Sequence, residues 1–333
     1  MKKILLITLL ALSIQNYGQV AITPSYRGAN DKFEKGELEK FKETITVFVL
    51  PQLNKKEDYE KILKEVWTVT PYKVVEYKDF TMLDYADGTY SFAKFYGDIT
   101  RNSKGYVYVH TNFAIKYLDG EKFNKGFKKL KFEDKKYNRK LNDLFNKNLT
   151  YIARAPLSAN VKFLNDAMVA GSEKSLSDLY NRMYTENSFT NTNLGMLKNY
   201  FQLINQMISK GENCGLYDDF TKPEIKNLKD ATLYIPEAYM KDYGEHYRDE
   251  KELKQLLEDY KYEFQFIKDE DLEKKILNNE DIYYLRYVNM NANKYLQIVN
   301  AKTGDAVYYF YGILTVKLKN EDFKKINKVI EAK

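Results

Sequence analysis

Apolar positions follow two rhythms along this chain, and the rhythms succeed one another in nearly the same order in its two halves. The run TITVFVLP, Thr44 to Pro51, is apolar almost throughout and stops at a proline, as a strand buried on both faces would. ATLYIP, Ala231 to Pro236, is a shorter version of it. Behind the first run, Tyr59, Ile62, Leu63 and Val66 recur at helical spacing; behind the second, Leu253, Leu256, Leu257 and Tyr260 repeat that spacing. Strand-like stretches follow in both halves, PYKVVEY from Pro71 and YKYEFQFI ending at Ile267.

Two runs rich in aromatic and β-branched residues, TYSFAKFYGD and GYVYVHTNFAIKY, flank the turn-like segment ITRNSKG and predict a hairpin. IYYLRYV, KYLQIV and DAVYYFYGILTVKL supply the corresponding strands of the second half, with Phe92 and Lys94 matched by Tyr284 and Arg286. Amphipathic helices close each half, one through Leu141, Leu144 and Phe145, the other through Ile326, Val329 and Ile330. Between the halves, Ser158 to Gly211 carries three apolar stripes at helical spacing and glycines where helix ends belong.

The expected fold is therefore α+β, built of two related modules (strand, helix, strand, strand, strand, helix) with mainly antiparallel or mixed sheets joined by helices. The expected boundaries are a signal peptide over 1–18, a polar leader over 19–40, a first module over 41–150, a helical connector over 151–225 and a second module over 226–333. The leader, from Val20 to Glu39, shows no sustained period and is expected on the surface or unstructured.

The amino terminus, MKKILLITLLALSIQNYGQ, changes the picture most. Two lysines precede an apolar run from Ile4 to Ile14, too short to cross a hydrocarbon core of roughly 30 Å. It predicts a cleaved secretory signal, no membrane anchor afterwards, and a periplasmic or extracellular protein. The only cysteine, Cys214, excludes internal disulfides and a lipid anchor beside the signal. A formal charge of +6, reduced by two if Lys2 and Lys3 are removed, draws anionic partners only weakly.

Motifs that fix a chemistry are missing. The two histidines, His110 and His246, have no ligand partner at metal spacing, and neither a nucleophile elbow nor a glycine-rich phosphate loop occurs. No metal, cofactor or nucleic acid is expected. Acidic groups such as Asp218 with Asp219, and Asp269 to Asp271, are expected to be solvated faces.

Two surfaces carry candidate chemistry. If the hairpin pairs across Ile99 to Gly105, alternation puts Ala93, Phe95, Val107, Val109 and Phe113 on a core face. Tyr90, Phe92, Lys94, Tyr96, Tyr106, Tyr108 and His110 then share the opposite face, with Tyr284 and Arg286 marking a related one in the second half. Such rings can stack on a sugar or cover a peptide, or they can pack against the helices or the other module. The second surface, Lys122 to Lys140, holds nine basic residues interrupted by Glu133 and Asp134. The function expected is that of an exported, non-catalytic binding or structural protein with a peptide, a glycan or another envelope protein as partner. The alternative is a secreted hydrolase using His110 or Cys214 with distant carboxylates.

Overall fold

The computed structural model describes residues 20–241 and 246–332; the expected signal peptide lies outside the described residues. Two six-stranded mixed sheets are present, each flanked by helices, and they share one strand order. The first contains β1 (Ala21–Ile22), β2 (Ile45–Leu50), β3 (Tyr72–Glu76), β4 (Tyr90–Arg101), β5 (Val107–Leu118) and β6 (Leu149–Pro156), in the order β1-β6-β5-β4-β2-β3. The second contains β7 (Phe220–Thr221), β8 (Leu233–Pro236), β9 (Phe264–Ile267), β10 (Tyr283–Met290), β11 (Asn293–Asn300) and β12 (Ala306–Ile313), in the order β7-β12-β11-β10-β8-β9. In each sheet the three strands at one end are parallel and the remaining pairings antiparallel. Two modules of one topology are thus written in succession.

The helices, in chain order, are α1 (Glu37–Lys42), α2 (Lys56–Val66), α3 (Gly120–Phe127), α4 (Tyr137–Asn148), α5 (Val161–Val169), α6 (Glu173–Thr185), α7 (Leu194–Lys210), α8 (Glu250–Leu257), α9 (Asp269–Leu277) and α10 (Asn320–Glu331). Among the described residues, no helix is long and apolar enough to cross a membrane. β2, inserted between two parallel neighbours, buries Val47, Phe48 and Val49 completely, as its continuous apolar run requires.

α7 is the hub. Asn193 caps its start by accepting from the Met196 N–H, and Gly211 ends it at φ 67°, a left-handed conformation that glycine adopts without strain. One side of α7 meets the first sheet, with Phe201 5.4 Å from Phe48 and 5.3 Å from Phe113 between ring centres. Its other side meets the second sheet, where Asn199 accepts from the Tyr284 hydroxyl and donates to the Ala301 carbonyl.

Four features depart from the sequence expectation. Val20 to Ile22, expected in a surface leader, are fully buried because β1 pairs with β6 and Ile22 exchanges backbone hydrogen bonds with Cys214. The connector begins in a strand, since β6 runs to Pro156 and helix starts only at Val161. A helix absent from the expected order, α9, lies between β9 and β10 with Leu272 and Ile276 buried, while Glu270 and Asp271 of its first turn are exposed. The closing helices do not correspond: α4 sits between β5 and β6, whereas β11 and β12 are joined by a tight turn and α10 follows the last strand.

Candidate functional site

The β4–β5 hairpin is longer than its sequence suggests. Its turn lies at Asn102 to Tyr106, held by the Asn102 side chain accepting from the N–H groups of Lys104 and Tyr106. Tyr96 therefore faces Asn112 and Lys94 faces Ala114. The register differs from the expected one by an even number of residues, so the side chains remain on the expected faces. Ala93, Phe95, Val109 and Phe113 belong to the main core.

On the opposite face three cations come together. Lys94 of β4, Lys116 of β5 and Arg154 of β6 are only 9%, 7% and 7% exposed. They alternate with aromatic rings. The Lys94 Nζ lies 4.9 Å from the ring centre of Tyr96 and 5.2 Å from that of Tyr180. The Lys116 Nζ lies 3.8 Å from Tyr96 and 4.1 Å from Tyr151, and the Arg154 guanidinium carbon is 4.1 Å from Tyr151. A bulge after Ile115 turns Tyr151 onto this face opposite Lys116.

Among the described residues neither lysine has a hydrogen-bond acceptor or a carboxylate within ion-pair distance, and the Nε of Arg154 and the hydroxyl of Tyr96 are buried without a partner. Other buried lysines of the chain are paired. Lys198 reaches Glu65 at 2.6 Å and Asn279 at 2.9 Å, and Lys294 reaches both carboxylate oxygens of Asp322 at 2.7 Å. A cation over a ring gains about 0.5–2 kcal/mol, while desolvating an ion costs several kcal/mol. The rings alone leave the three charges undercompensated.

The titration shifts follow from this. Burial pushes Lys94 down to about 8. Burial, the charges of Arg154 and Lys94, and the weaker opposing pull of Asp98 bring Lys116 down to about 7. Burial holds the Tyr96 phenol well above its ordinary range, with Tyr180 and Tyr151 adding to it. His110, opposite Asp98, is lowered by burial, raised by Asp98 and lowered by Arg154.

The nine residues singled out from sequence do not form one surface. Lys94 and Tyr96 are in the cluster and His110 flanks it. Phe92 is fully buried in a separate apolar cluster with Leu118, Phe123, Leu141 and Phe145. Tyr90 packs edge-on against Tyr85, with the Lys73 Nζ 4.9 Å from its ring centre. Tyr106 and Tyr108 lie at the hairpin tip, 63% and 37% exposed, lining a groove of about 510 Å³ with Met168 and Asn291 where the modules meet. The related open face expected in the second module is closed: Tyr284 and Arg286 are fully buried beneath α7. There the Arg286 guanidinium lies 4.1 Å from the Tyr200 ring centre, and its Nε donates to Gln297 at 2.7 Å.

Lys116, Tyr151, Arg154 and Tyr180 were not singled out. Lys116 continues the same alternation as Tyr108 and His110, which was signal enough to find it. Cys214, a candidate nucleophile, is buried; its thiol donates to the Val20 carbonyl at 3.2 Å, and burial pushes its pKa up to about 12. A thiol in that state is not a nucleophile near neutral pH. The basic segment from Lys122 to Lys140 forms local pairs, Lys122 with Asp119 and Lys140 with Asp134. No family model, no curated protein and no solved structure matches the chain.

Proposed function

We propose that this chain is an exported, non-catalytic binding protein that holds a peptide, a glycan or another envelope protein on the cation and aromatic face of its first sheet. Export rests on the amino-terminal pattern of two lysines and an apolar run. Binding rests on one observation: Lys94 and Lys116 are buried on a strand face without an acidic partner, in a chain that pairs Lys198 and Lys294. Charge left uncompensated at a cost in stability is a mark of a site kept for a ligand. The hydrolase alternative loses its cysteine to burial.

The test is a binding screen of the secreted form against short peptides and acidic and neutral glycans, followed by mass spectrometry of the recovered ligand. The expected result is a ligand that binds wild type, is recovered intact and is lost when Lys94→Met and Lys116→Met are combined. A ligand recovered cleaved, or held equally well by the double variant, refutes this reading.

A further inference from the structure

The two modules use the same strand position in different ways, and the difference points to the chemistry of the ligand. Lys94 precedes Phe95, whose backbone is bridged by the Tyr184 hydroxyl; Arg286 precedes Tyr287, whose backbone is bridged in the same way by Tyr239. In the second module the cation at this position is held by Gln297, by the Tyr284 hydroxyl and by the Tyr200 ring, the last carried by α7. In the first module α7 covers the other face of the sheet. The cation there has only rings for company, and two more cations, Lys116 and Arg154, stand beside it.

We infer that Lys94, Lys116 and Arg154 together bind an oxyanion group of the ligand, a carboxylate, sulfate or phosphate, on the face of the first sheet. This rests on the binding reading above and names the group that the face recognises. The ring faces of Tyr96 and Tyr151 are already taken up by cations, so stacking on a neutral sugar is not what this part of the face offers. The polar groups left without partners include the Nε of Arg154 and the Tyr96 hydroxyl, both able to donate to an anionic oxygen. Tyr96 and Tyr151 are half-buried and Asp98 is exposed, so the cluster adjoins solvent along this edge.

The groups facing Lys116 are Tyr96 and Asp98 of β4, Lys94 of the same strand, and Tyr151 and Arg154 of β6. Asp98 is the only acid among them, and it is solvated. Binding an anion must therefore favour the charged lysines, so capture takes up protons near neutrality and weakens as pH rises.

The experiment is calorimetric titration of the secreted form with sodium acetate, sulfate and phosphate separately, at constant ionic strength in chloride, at pH 6.5 and 8.5. Saturable binding of at least one anion is expected at pH 6.5, weakening about tenfold or more at pH 8.5. It should also weaken at least tenfold in Lys94→Met and Lys116→Met separately, and be retained in Lys94→Arg; urea melts would establish that each variant is folded. Preference for acetate assigns the group to a carboxylate, and preference for sulfate or phosphate to an ester of those acids. No saturable binding, or equal binding by folded methionine variants, overturns the oxyanion site. Should a neutral ligand from the screen then still be lost in the lysine double variant, the oxyanion inference fails while the binding reading stands.

Discussion

The Tyr184 hydroxyl accepts the N–H of Phe95 at 2.9 Å and donates to the carbonyl of the same residue at 3.0 Å. The reason lies one residue upstream: β2 pairs with β4 only as far as Val49 opposite Lys94, and then Pro51 follows. Without Tyr184 the buried N–H of Phe95 would be unpaired, and its carbonyl would keep only the Tyr180 hydroxyl. The second module repeats the solution, with Tyr239 bridging Tyr287 at 2.9 and 3.2 Å beyond the end of β8. Removing either hydroxyl should cost about 1–3 kcal/mol. Because Tyr180 also donates to the Phe95 carbonyl at 3.1 Å, Tyr184→Phe strands only the N–H. Tyr239→Phe removes both of the bonds that Tyr239 makes to Tyr287, so urea unfolding should show each variant destabilised within that range; unchanged stability in either would count against the bridge as a source of it.

Alternation carried much of this in the sequence. Ala93, Phe95, Val109 and Phe113 sort to the core face under any even shift of register, so misplacing the hairpin turn did no harm to the face assignment. What alternation does not carry is which face is covered. Lys94 and Arg286 occupy matching positions, yet one meets two other cations and the other meets a helix, because α7 lies between the sheets and can seal only one face of each. Arg154 and Tyr151 were hidden differently, inside a stretch read as connector although its first six residues belong to β6, which pairs with β5. Tyr180 reaches the site from a helix packed beyond the end of β2, a long-range contact that no local spacing records.

Lysines that look alike by burial should respond in opposite ways to substitution. Lys294 sits in a buried pair with Asp322, each only a few percent exposed. Lys294→Met leaves a buried carboxylate uncompensated and should destabilise the protein by about 3–5 kcal/mol. Lys94→Met and Lys116→Met each remove a charge that has no partner to strand, and should stabilise the ligand-free protein by about 1 kcal/mol or more at pH 6.5. Denaturant midpoints of the three variants, measured without added anions other than chloride, check this. Destabilisation by both Lys94→Met and Lys116→Met would mean that the lysines are structural members of the cluster.

Cys214 offers a direct check on the catalytic alternative. Its thiol is buried, donates to the Val20 carbonyl and is held protonated near neutral pH. Alkylation by iodoacetamide at pH 8 should therefore be slower than for a free thiol by about two orders of magnitude or more, since it is the thiolate that reacts. The unfolded chain in urea should react at the ordinary rate. Rapid labelling of the native protein would instead restore Cys214 as a candidate nucleophile.

The two unpaired lysines also give stability a pH dependence of definite sign. Their ordinary value is 10.5, and in the folded protein they stand at about 8 for Lys94 and about 7 for Lys116. Well below pH 7 both are charged whether the chain is folded or not, so the full burial penalty weighs on the folded state. As pH rises through 7 and 8 the folded chain releases protons that the unfolded chain keeps until about 10.5, so the unfolded state binds more protons and stability increases. Each group contributes at most about 1.4 kcal/mol per pH unit. The buried tyrosines work in the opposite sense, but only as the unfolded phenols begin to ionise near pH 10. Urea unfolding of the ligand-free protein should therefore show stability rising by about 2–4 kcal/mol between pH 6.5 and 9, with the rise largely abolished in the Lys94→Met, Lys116→Met double variant. Anion binding must run the other way over the same interval, because it holds on the protons whose loss stabilises the empty protein. Parallel pH curves for wild type and double variant would break this link and show that neither lysine titrates near neutrality.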